Sequence, residues 1–121
     1  MENTKLIKLL RTFSKNELRD FENFIRSPYF NNGAYLVKFF EEIKKFAPKF
    51  SGRQFTKEKI FEKLQASAKY NDAYVRKLIS NLTKLADEFL VYTSFSGMEN
   101  EKQLALVQQY RQRGLDAEFE K

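Results

Sequence analysis

The 121-residue chain contains no cysteine and no histidine. Their absence removes thiol nucleophiles, disulfides, Cys/His zinc sites and imidazole acid–base chemistry together. A chain without cysteine fits a reducing compartment. Four glycines and two prolines are too few for the turn-rich connections of a β-sandwich or barrel. The glycines, Gly33, Gly52, Gly97 and Gly114, stand apart from one another, so no Gly-rich phosphate loop can form. No long apolar run is present, and no membrane span is expected. The N-terminal amphipathic stretch is broken by Lys8 and Arg11, whereas a signal peptide needs an unbroken apolar core. The expected location is cytoplasmic.

What the chain does have is aromatic bulk. Thirteen Phe and six Tyr are far more than a disordered chain carries, and they imply a packed core. Phenylalanine buries much area per side chain, which suits a small domain. The spacing of apolar residues predicts six helical segments in an all-α, compact bundle with a Phe-rich core. The first covers about residues 4–12, with Leu6, Leu9, Leu10 and Phe13 on one face. Ser14-Lys15-Asn16-Glu17 is a capping box that opens the second, in which Leu18, Phe21, Phe24 and Ile25 face the core. That helix stops at Ser27, because the residue before Pro28 avoids helical dihedrals. A turn over residues 28–33 carries Tyr29 and Phe30. The third helix then reaches about Phe46, with Leu36, Phe39, Phe40 and Ile43 at helical spacing.

Pro48 ends that helix, and residues 49–55 read as a loop. Thr56 caps a short fourth helix holding Ile60, Phe61 and Leu64. After a second loop at 65–70, Asn71 or Asp72 caps a fifth helix. Its stripe is Val75, Leu78, Ile79, Leu82, Leu85, Ala86, Phe89 and Leu90. Residues 90–95 are rich in β-branched and aromatic side chains and read as a helix end or a short strand. Gly97 breaks the chain. The sixth helix covers about residues 99–113, with Leu104, Val107 and Tyr110 inward, and Leu115, Ala117 and Phe119 open another helical pattern. Two parts are therefore expected: a bundle over 1–97, and a helix or partial helical hairpin over 98–121. The second part reads either as the start of a longer helical region or as a terminal helix docked on the core.

The charge is one-sided. Residues 1–60 carry thirteen Lys/Arg against seven Asp/Glu, and residues 61–121 carry nine against nine. The excess is densest over residues 44–63, where Lys44, Lys45, Lys49, Arg53, Lys57, Lys59 and Lys63 face only Glu58 and Glu62. Such a stretch attracts phosphate polymers or acidic partners, or serves simply as a solvated surface. The adjacent acids Glu41-Glu42 and Asp87-Glu88 point about a quarter-turn apart on a helix and do not converge as a catalytic dyad. No acidic loop has the spacing of an oxygen-only metal site, and no serine sits in a nucleophile turn. No enzyme activity, cofactor, metal or small-molecule ligand is expected.

Residues 56–90 have the layout of a helix-turn-helix: a short helix, a loop and a longer amphipathic helix. Residues 75–82 look like the recognition helix of winged-helix regulators. A candidate basic face comprises Lys57, Lys59, Arg76, Lys77, Asn81 and Lys84, residue types suited to phosphates and base edges. Against it stand Asp72, Asp87 and Glu88 and a loop longer than a tight turn. The alternative is a core helix with a mixed polar outer face.

Four stretches carry a family resemblance: Ser14-Lys15-Asn16-Glu17, Arg26-Ser27-Pro28-Tyr29-Phe30-Asn31, Phe55-Thr56-Lys57-Glu58-Lys59-Ile60-Phe61 and Tyr70-Asn71-Asp72. Together they resemble the N-terminal region of an uncharacterised family of bacterial all-helical proteins. The resemblance covers most of the chain. It implies a longer parent with a helical, repeat-like remainder, and it implies no activity. Leu106-Val107-Gln108-Gln109-Tyr110 with Gly114 is similar to the first helix of a tetratricopeptide repeat. The expected role is a protein-interaction or scaffold module that contacts a protein partner, or itself, through the C-terminal helix. Nucleic-acid binding through residues 56–90 is the alternative.

The capping box carries a direct test. Ser14→Ala should lower the unfolding free energy by about 1 kcal/mol, read from chemical denaturation. A change below a few tenths would mean that Ser14 caps nothing.

Overall fold

A computed structural model describes residues 1–27, 33–96 and 99–114. Among them it is all-helical, with α1 Lys5–Leu10, α2 Lys15–Arg26, α3 Ala34–Lys44, α4 Lys57–Leu64, α5 Asp72–Ser96 and α6 Glu99–Gln112. The expected turn with Tyr29 and Phe30, the break at Gly97 and the apolar start at Leu115 lie outside the described residues. The chain divides into two units, Met1–Asp87 and Glu88–Lys121. The boundary falls inside α5, ten residues before Gly97.

Side-chain caps open four of the five helices that start in the first unit, α3 being the exception. Thr4 accepts from the Ile7 amide at the head of α1. At α2 the capping box is complete: the Ser14 hydroxyl accepts from the Glu17 amide at 3.1 Å, and the Ser14 amide donates to Glu17 Oε1 at 2.8 Å. Thr56 accepts from the Lys59 amide and opens α4. Of the two candidate caps for α5, Asn71 serves, because its Oδ1 accepts from the Tyr74 amide, and Asp72 is the first helical residue.

The core of Met1–Asp87 is a chain of aromatic rings held on these helices. α3 packs against both α2 and α4. Leu36, Phe39, Phe40 and Ile43 of α3 are buried, as are Leu18, Phe21, Phe24 and Ile25 of α2. Phe21 meets Phe13 edge-on at 5.8 Å and Phe40 edge-on at 5.2 Å. That is the arrangement in which a ring's positive edge meets a neighbour's negative face. On α1 the buried residues are Leu6, Ile7 and Leu10, so Ile7 takes the fully buried place that the spacing assigned to Leu9, which is only half-buried. On α5, Val75, Leu78, Leu82, Leu85, Ala86 and Phe89 are buried, while Ile79 and Leu90 are half-buried. Residues 90–95 are helical, the first of the two readings, and make α5 a 25-residue helix.

The segment after α3 departs from its reading as a plain loop. α3 ends at Lys44, two residues earlier than its periodicity implies, and a turn with a cis Ala47–Pro48 peptide follows. Phe50 and Phe55, both in this segment, are buried. Phe50 has a φ of 50°, a left-handed conformation unusual for a bulky residue and costing about 1–3 kcal/mol. Three contacts hold it there. The Phe50 amide donates to the Phe46 carbonyl at 2.7 Å. The Arg11 guanidinium donates from Nε to the Lys49 carbonyl and from Nη2 to the Phe50 carbonyl, each at 3.0 Å. The buried ring lies 6.3 Å from that of Phe55, which in turn lies 4.8 Å from Phe46. Burying a Phe contributes about 1.5–3 kcal/mol, enough to offset the strained backbone.

A charged network ties α2 to α3 on the outside. Glu22 receives Lys44 Nζ at 2.6 Å on one oxygen and Arg26 at 2.9 Å on the other, and Arg26 also reaches Glu41 at 2.6 Å. The hydrogen bond from Lys44, with smaller contributions from Arg26, holds the Glu22 carboxyl below its ordinary value despite partial burial. A carboxyl whose pKa is depressed by folding stabilises the fold above its ordinary pKa of 4.5, and that contribution disappears as pH falls through the depressed value. Thermal melts from neutral pH downward should show this loss. In Glu22→Gln the neutral-pH Tm should be a few degrees lower and its decline below pH 4.5 shallower. Identical pH profiles for the two proteins would remove the network from the stability of the fold.

Candidate functional site

The α4–α5 pair carries the candidate basic face, and its geometry begins with aromatic packing. Phe61 of α4 lies edge-on to Tyr70 at 5.5 Å and to Tyr74 at 6.0 Å. These contacts set the start of α5 beside α4 after the loop at residues 65–71. The Tyr70 hydroxyl donates to Asp72 Oδ1 at 2.7 Å, and Arg76 Nε pairs with Asp72 Oδ2 at 2.9 Å, one turn along the helix. The Tyr70 hydrogen bond, and then the charges of Lys57 and Arg76, hold the Asp72 carboxyl below its ordinary value. Asp72 thus pairs with Arg76 and feels the charge of Lys57, and its carboxylate offsets part of the positive charge there.

The other members of the face are distributed differently. Lys59, Lys77 and Lys84 are exposed, and their ammonium groups have no ion pair or hydrogen bond among the described residues, while Asn81 is half-buried. Successive residues of a helix are rotated by 100°. Arg76, Ser80, Lys84 and Lys77 therefore share the outer face of α5, and Asn81 stands at its margin. Asp87 and Glu88 fall on the same outer face further along the helix, with Asp87 paired to Lys5 at 3.7 Å. The face is mixed in sign along its length.

Much of the basic excess over residues 44–63 is engaged by structure. Lys44 is held by Glu22 and Lys45 by Glu42. Lys63 Nζ sits 5.8 Å from the centre of the Phe46 ring, within cation–π range. Lys49 and Arg53 are exposed and unpaired among the described residues. A charge run in the sequence therefore does not become a continuous basic patch, because nearby acids and one ring consume part of it.

Exposed large apolar side chains are the second candidate feature, which helical spacing alone did not locate correctly. Leu104, expected inward on α6, is 64% exposed, and Leu106 is 44% exposed. Val107 and Tyr110 of the same helix are half-buried. On the last turns of α5, Val91 is 70% and Tyr92 53% exposed. All four exposed residues belong to the unit Glu88–Lys121. In the other unit Tyr35 is the one large apolar side chain so exposed among the described residues. The signal for this was in the composition of α6, whose apolar residues Leu104, Ala105, Leu106, Val107 and Tyr110 spread around the helix.

Among the described residues, no three Asp or Glu side chains converge as a metal site. None of the described helices is long and apolar enough to cross a membrane. Comparison with known proteins gave no family model, no curated protein and no solved structure that matches the chain.

The Tyr70–Asp72 bond has a measurable signature. Partial burial, followed by the hydrogen bond to Asp72, pushes the Tyr70 phenol up to about 12. Asp72→Asn should bring it part of the way back toward the ordinary 10.0, because burial, the larger cause, stays. Tyrosinate absorbance followed in alkali, with Tyr70→Phe to assign the transition, checks this.

Proposed function

We propose that the chain is a non-catalytic protein-interaction module of the cytoplasm, and that its contact surface is built from the C-terminal helices. The observation that supports this is the unequal exposure of apolar side chains. Among the described residues, Met1–Asp87 leaves only Tyr35 of its large apolar side chains exposed, whereas Val91, Tyr92, Leu104 and Leu106 in Glu88–Lys121 are open to solvent. Concentrated exposed apolar surface favours contact with another polypeptide. The resemblance to the N-terminal regions of bacterial helical proteins and the tetratricopeptide-like stretch at residues 106–110 belong to the same reading, since stacked helical repeats cover one another's apolar faces. Nucleic-acid binding through residues 56–90 is the second reading, favoured by the unpaired, exposed Lys59, Lys77 and Lys84. Binding of that kind would weaken steeply with salt.

Sedimentation velocity on the full chain tests the first reading. With no other protein present, the chain is expected to self-associate reversibly, because its own exposed leucines are the available apolar partner. Leu104→Glu combined with Leu106→Glu should give a monomer with an unchanged Tm. A monomeric parent chain whose double variant melts at a markedly lower temperature would instead place these leucines inside a finished fold, and the reading would fail.

A further inference from the structure

Within Met1–Asp87, a cavity of about 330 Å³, open on one side, lies between the start of α2 and the turn that follows α3. Its described lining is Phe13, Leu18, Ala47 and Pro48, together with Lys15 and Lys44. The floor is therefore aromatic and aliphatic, and both charged residues that line it are cationic. Lys15 is exposed and has no ion pair among the described residues. Lys44 gives one hydrogen bond to Glu22, which leaves two of its three ammonium donors. We propose that this cavity receives a large apolar side chain flanked by carboxylates, presented by an acidic segment of a protein partner.

Three features select that occupant. Apolar walls do not suit a phosphate polymer, whose charges keep their water. The volume is at the lower end of the roughly 300–1,000 Å³ typical of small-molecule sites, and the open side conflicts with the roughly 70–90% burial such ligands reach. A side chain carried by a peptide uses the open side as its way out. Finally, the two charged residues of the described lining, Lys15 and Lys44, are both cationic, and exposed Lys49 follows Pro48 directly, so flanking carboxylates meet complementary charge. The described lining lies wholly within Met1–Asp87, and the proposal holds or fails independently of the one made for the C-terminal helices.

The test is a titration of the nitrogen-labelled full chain, followed by amide NMR. The probe is a blocked pentapeptide of four glutamates around a central phenylalanine. Saturable shifts are expected at the amides of Lys15, Leu18, Lys44 and Ala47. Replacing the central phenylalanine by alanine should abolish saturation. Lys15→Glu places an acid in the first turn of α2, where the helix dipole tolerates it well, so the variant should fold and lose affinity about tenfold. Three results overturn the proposal: equal binding by the alanine peptide, shifts spread over lysine amides throughout the surface, or no shift at the cavity. Saturation of the same amides by free phenylacetate, with none by the peptide, would reassign the cavity to small carboxylates and equally overturn it.

Discussion

The position of α3 between α2 and α4 is the constraint on which the rest of the first unit depends. Phe39, Phe40 and Ile43 are fully buried, so a single short helix serves both neighbours and has no solvent face to spare on that side. Phe40 meets Phe21 edge-on, and Phe21 passes the contact on to Phe13 at the corner between α1 and α2. On the other side of the bundle the same logic continues through Phe46, Phe55 and Phe50. The Glu22–Lys44 and Arg26–Glu41 pairs close the α2–α3 seam at the surface. They add direction to a contact that the rings supply in bulk.

The sequence makes most of this legible because the helices obey simple rules. Ser14 and Thr56 are strong caps with a partner at the right spacing, and the stripes on α2, α3 and α5 repeat at i, i+3, i+4. What it hides is the turn after α3. Phe50 follows no periodicity, and its carbonyl is held by Arg11, which is 39 residues away in the chain. Local patterning carries no trace of such a contact. The placement of Ile7 rather than Leu9 in the core has a similar origin: a six-residue helix is too short for its apolar period to select a face, and its neighbours select it instead.

The candidate sites were legible to a lesser degree, for reasons of charge geometry. Lys57, Arg76 and Asp72 are separate residues in a list, and only folding brings the carboxylate close to both cations. A tally of lysines over residues 44–63 likewise overstates the field, since Glu22, Glu42 and the Phe46 ring engage three of them. Exposure of Leu104 follows from α6 having apolar residues on several sides, so that no single orientation hides them all. The cavity beside Phe13 was not visible at all, because it is bounded by two segments some thirty residues apart.

Among the described residues no polar or charged side chain is buried. The interior of the first unit therefore coheres mainly through an interaction whose strength is set by water rather than by hydrogen bonds between side chains, with the edge-on rings adding direction. Exposing such an interior raises the heat capacity and bends the stability curve sharply with temperature. The driving force weakens as water is cooled, and among the described residues no buried polar side chain is there to compensate. A bundle of this kind is softer in the cold than one with polar anchors inside. It is tightened by sulfate, which is excluded from its surface, and loosened by urea, which solvates the rings and backbone alike. Its working limits are set as much by the solvent as by the chain.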